Sequence, residues 1–101
     1  MDKKEAGCCG KMTVRSAEQK KKLLNRLKRI EGQVRGIQSL IEQDAYCNDV
    51  LIQSAAVNAA MNAFNRELLA SHIRSCVARD IREGKDEVID ELVATLQKLM
   101  R

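Results

Sequence analysis

Between Tyr46 and Glu83 the chain has no glycine, and it has no proline anywhere. Nothing in that stretch supplies the residues that break helices or build tight turns. Val50, Ala55, Val57, Met61, Phe64, Leu68, Ile73, Val77 and Ile81 form a broad apolar surface along it. Its alanine-rich part, 55–63, favours helix and permits close helix–helix approach. The pattern predicts one long helix from Tyr46 or Cys47 to about Glu83. The 101 residues suffice for one small domain, and a helix this long cannot be wrapped by the rest of so short a chain. A partner protomer is expected to cover its apolar sides.

A second helix is predicted from about Ser16 to Gln43, with Ser16 as its N-cap. Leu23, Leu27, Ile30, Val34, Ile37 and Ile41 alternate spacings of four and three, an a/d seam. Lys22, Arg26, Arg29, Gln33 and Gly36 repeat that spacing about 100° round the helix, on a separate polar face. Gly32 and Gly36 each cost about 1 kcal/mol relative to alanine inside a helix, so a close helix neighbour or a close phosphate backbone is expected there. Gln43, Asp44 and Ala45 read as a short turn. Gly84 suits the residue after a helix end, and a short third helix follows over about Asp86–Met100. The expected fold class is all-α, three helices per protomer, with residues 1–16 a flexible N-terminal tail and 17–101 a single domain.

Charge is uneven. Residues 17–43 carry seven basic and three acidic side chains, a net of +4, while residues 1–16 add +2 and 44–101 contribute −2. Such a stripe suits a polyanion, most simply DNA or RNA, or else is a solvated helix face. Tyr46 and Phe64 are the only aromatics, too few for a platform that stacks single-stranded bases. No apolar run has the length of a signal peptide or a membrane span, so a cytoplasmic location is expected, with reduced thiols. Four cysteines then read as ligands or reactive groups. Cys8 and Cys9 form a vicinal pair in the tail, either a mobile feature or a transient metal binder.

His72 and Cys76 lie four apart on the long helix, on one face, where they can share a metal ion. The alternative is a packed histidine and a buried cysteine one turn apart. Thiolate plus imidazole suits copper(I) or zinc, and Cys47 is the best third ligand. Cys47 stands 25 residues before His72, which an unbroken helix stretches to roughly 37 Å. Metal–ligand bonds are about 2.0–2.3 Å, so one chain cannot bring both to one ion. Two antiparallel copies crossing near Met61 can, giving two equivalent intersubunit sites. Structural zinc nearly always takes four protein ligands; two thiolates and one imidazole fit trigonal copper(I).

The run Asn25-Arg-Leu-Lys-Arg-Ile-Glu-Gly-Gln-Val-Arg-Gly-Ile37, then Tyr46-Cys47 and His72-x-x-x-Cys76, closely resembles the CsoR/RcnR/FrmR family of bacterial metal-responsive repressors, within it the copper(I)-sensing CsoR branch. The resemblance covers about residues 20–100. It implies a dimer with an antiparallel four-helix core, assembled into a homotetramer without a helix-turn-helix. It implies binding of double-stranded operator DNA in the metal-free state and release on Cu(I) binding. Carried over by position, the metal ligands are Cys47 of one protomer with His72 and Cys76 of the other. Tyr46 and Glu91 match residues that hydrogen-bond the distal nitrogen of the ligand histidine, tying the third helix to the second when copper is bound. Without the resemblance they read as a half-buried turn aromatic and a surface carboxylate. Arg26, Lys28, Arg29, Gln33 and Arg35 match the basic DNA-facing helix, with phosphate contact their main role. Arg74 and Arg79 form a second basic patch or plain surface charge. The nickel/cobalt sensors place a further histidine near the N-terminus, which this tail lacks; the persulfide sensors lack the histidine of the ligand set.

Two other functions are weighed against this one. In a thiol or persulfide sensor, Cys47 and Cys76 would react and His72 would be idle. A copper buffer would not need the basic stripe. An enzyme is not expected, since no second titratable partner sits at catalytic spacing from His72.

Overall fold

In the computed structural model, residues 15–100 are described. The tail expectation, with Cys8 and Cys9, therefore lies outside the described residues except at Arg15 and Ser16. Every regular element described is helical: α1 (Ala17–Glu42), α2 (Cys47–His72), a π-helical turn (Ile73–Val77), α3 (Ala78–Arg82) and α4 (Glu87–Leu99). Ser16 caps α1 as its sequence position requires, its hydroxyl accepting the Gln19 N–H at 3.1 Å.

The long helix predicted from the absence of glycine and proline is present. It runs from Cys47 to Arg82 with helical dihedrals at His72, Val77 and Ala78. What the sequence did not show is the π turn within it. There the Ala78 N–H reaches Ile73 O, five residues back. The Ser75 hydroxyl donates to Ser71 O at 2.7 Å, competing with the backbone donor that an α-helix would aim at that carbonyl. Wider turns of this kind recur at functional sites, and this one begins directly after His72 and contains Cys76.

Both helix ends use the same reversal. After α3, Gly84 adopts φ 82°, its N–H donates to Ile81 O, and the Lys85 N–H donates to Asp80 O at 2.8 Å. After α1, Asp44 adopts φ 55°, and the Ala45 N–H donates to Leu40 O at 2.9 Å. Both are Schellman closures, one with the glycine that left-handed backbone favours and one without it. No atom stands within 4 Å of a Cβ built on Gly84, so only conformational strain opposes a side chain there. Gly84→Ala is therefore expected to lower stability by about 1 kcal/mol, and Asp44→Gly to raise it by a similar amount. Thermal melts of the two variants check both signs.

Two compact units are present, one over 15–68 and one over 69–100. In the first, Leu23 and Ile30 are the buried residues of α1, and α2 buries none. Leu27, Val34 and Ile41 of the same seam are uncovered, as are Leu51 and Ile52 of α2. In the second, Cys76, Val77, Asp80 and Val88 are buried where α3 turns into α4. Five buried apolar side chains among the described residues are a small core for this length. Gly32 and Gly36 likewise have nothing within 4 Å of an added Cβ. Among the described residues, then, no helix of the same protomer is the close neighbour expected for them.

Candidate functional site

The predicted ligands occupy fixed stations on one helical rod. Cys47 is the first residue of α2 and His72 the last. An unbroken helix of that length spans roughly 37 Å at about 1.5 Å per residue. Among the described residues no group of three His, Cys, Asp or Glu side chains converges on a point where an ion could sit. Cys47 is an exposed free thiol; His72 is half-buried; Cys76 is only 4% exposed.

Ser75 Oγ lies 3.7 Å from Cys76 Sγ. One hydroxyl proton cannot serve two acceptors, and the 2.7 Å contact to Ser71 O takes it.

Tyr46 precedes α2 with its ring exposed, and its carbonyl accepts the N–H groups of Asp49 and Val50. Glu91 lies on α4 with its carbonyl accepting from Thr95 Oγ1 at 3.1 Å. Among the described residues no hydrogen bond joins either side chain to His72. Arg74 is exposed and Arg79 partly so.

The basic residues of α1 divide into two groups by helical phase. Lys22, Arg26, Arg29 and Gln33 recur at four- and three-residue spacing on one flank. Lys28 and Arg35 fall on the opposite flank, about half a turn round. Gln33 Oε1 is buried without a hydrogen-bond partner. Arg35 pairs with Glu31 at 3.4 Å. Lys22 and Arg26 reach Glu67 of α2 at 3.7 and 3.9 Å.

Sequence reasoning missed Glu67 and Asp80. Asp80 is a 2% exposed carboxylate whose Oδ1 lies 3.8 Å from Arg79 Nε and, among the described residues, accepts no hydrogen bond. An acid four residues after Cys76 on the apolar face was the available signal. Nothing local marks Glu67, since its pairing depends on how α1 meets α2.

A cation-striped helix beside a long rod bearing thiol and imidazole donors defines a class: all-helical, metal-responsive DNA-binding regulators. The similarities to known proteins narrow that class. The chain belongs to the metal-sensitive transcriptional repressor family, whose pattern matches residues 19–98. It is thus a transcriptional regulator and not an enzyme. It is 47% identical over 88 residues to the copper-sensing transcriptional repressor CsoR of Bacillus subtilis (strain 168), covering 86% of this chain and 87% of that protein. Its fold matches the crystal structure of the copper-sensing repressor CsoR with Cu(I) from Geobacillus thermodenitrificans NG80-2. That match has a TM-score of 0.85 and 41% identity, over 89% of this chain and 95% of the other. The nickel-responsive transcriptional regulator InrS matches with a TM-score of 0.69 and 38% identity, over 84% of this chain and 97% of that one. The all-α fold class expected from sequence is thereby shown.

Proposed function

We propose that this protein is a copper(I)-responsive repressor, with 17–101 acting as one domain. The metal-free oligomer holds double-stranded operator DNA through α1. Copper(I), taken by Cys47 of one protomer and His72 and Cys76 of another, lowers that affinity and frees genes of copper efflux or buffering. The observation that carries the metal assignment is the match, over nearly the whole chain, to a repressor solved with Cu(I). Donor chemistry supports copper over nickel, because His72 is the only histidine and nickel(II) favours sites richer in nitrogen. Because transcriptional repressors act where the DNA is, we place its action in the cytoplasm, where thiols stay reduced.

Uncovered seam and α2 residues support a dimer, and a tetramer as a dimer of dimers. Lys22, Arg26 and Arg29 present one cationic flank to phosphate, while Lys28 and Arg35 serve a second contact on the opposite side. When copper takes one ring nitrogen of His72, the other N–H is free to donate to Tyr46 or Glu91. That bond would make α4 respond to the metal.

A duplex selected for binding by the metal-free, reduced protein provides the test. Anaerobic titration with copper(I) is expected to weaken binding about 5- to 150-fold, the usual span of a coupling free energy. His72→Ala should bind the duplex as well as wild type and ignore copper. A normal copper response from His72→Ala would show the ligand set to be wrong.

A further inference from the structure

Glu67 is the one carboxylate of α2 in ion-pairing reach of α1, and it serves two cations there, Lys22 at 3.7 Å and Arg26 at 3.9 Å. Both cations belong to the flank that the proposed function turns toward DNA, and all three residues lie in the same compact unit. A carboxylate offers planar, anionic oxygens to a guanidinium much as a phosphate does. Both groups therefore compete for the same donors. Lys22, Arg26 and Glu67 all remain accessible to water, so nothing but the pairing itself holds the cations back.

We propose that Glu67 acts as an internal surrogate for DNA phosphate, occupying Lys22 and Arg26 in the free protein and limiting how tightly the repressor holds DNA. Each phosphate contact made by these residues must first displace Glu67. The cost is modest for exposed pairs, and two pairs share one acid. Removing the carboxylate is thus expected to tighten DNA binding rather than weaken it. The expectation rests on α1 facing DNA.

The test is a mutant cycle on the metal-free protein, read by anisotropy of a labelled duplex across a salt series. Glu67→Gln in the wild-type background is expected to bind about three- to tenfold more tightly. In a Lys22→Ala/Arg26→Ala background, the same substitution should change affinity by less than about twofold, because the cations it competed for are gone. An equal gain in both backgrounds means that Glu67 merely repels DNA at a distance, and overturns the proposal. No gain in either background overturns it too. If Lys22→Ala/Arg26→Ala itself binds as wild type, the α1 contact is wrong and the proposal falls with it. Weakened binding by that double variant, with no gain from Glu67→Gln, defeats only the Glu67 proposal.

Discussion

Neither Cys47→Ser nor Cys76→Ser should hold copper(I) in a two-sulfur, one-nitrogen site, yet a heterodimer containing one protomer of each should hold one ion. The expectation follows from the length of α2. Its two ends carry Cys47 and His72 and lie roughly 37 Å apart on a straight helix, many times a metal–ligand bond. Only a second chain can bring a Cys47 to the His72/Cys76 end. In the mixed pair, one site draws Cys47 from the Cys76→Ser protomer and His72 and Cys76 from the Cys47→Ser protomer, and is complete. The other site lacks both sulfurs. Copper content per purified, reduced heterodimer should therefore be one, against two for wild type and none for either parent. X-ray absorption should show the two-sulfur, one-nitrogen shell in the mixed species alone among the variants. A copper-free heterodimer would mean that the ligands of each site come from one chain or from other residues.

The same geometry shows which features sequence could reveal. The long helix was legible because its cause is local: no residue from 46 to 83 disfavours helix strongly enough to end it. Ser16 and Gly84 were legible as ends for the same reason, since cap chemistry depends on residue type and position. The π turn was not, because Ser75 is a residue that any helix tolerates; only its hydroxyl reaching Ser71 O at 2.7 Å marks the competition. Asp44 carries a left-handed backbone that glycine would more readily adopt, so its turn was visible but not its conformation. Glu67 and Asp80 gain their meaning from neighbours outside their own turn. The candidate ligands fall between these cases. Their residue types and the helix length pointed away from a site within one chain, while the π turn that holds Cys76 was not readable from spacing.

Replacing Met61 by aspartate should break the oligomer. Met61 lies midway between Cys47 and the His72/Cys76 end, so two antiparallel α2 helices that match these ends must cross beside it. On an α-helix Val50, Val57, Phe64 and Leu68 share its face within about 60°. Among the described residues α2 buries none of its side chains, and the proposed second copy would cover this face. Near a two-fold axis each substitution occurs twice, setting two carboxylates against each other in an apolar contact. Burying even one unpaired polar group costs several kcal/mol. A loss of at least about 4 kcal/mol weakens dimerisation about a thousandfold. Sedimentation at micromolar concentration should show monomer for Met61→Asp and the wild-type assembly for Asn62→Asp, one residue along on the exposed side. In the proposed two-chain copper site, Met61→Asp should also lose copper(I) binding with Cys47, His72 and Cys76 all intact. An unchanged assembly for Met61→Asp would move the crossing point elsewhere on α2 and remove the basis for pairing Cys47 with a partner's histidine.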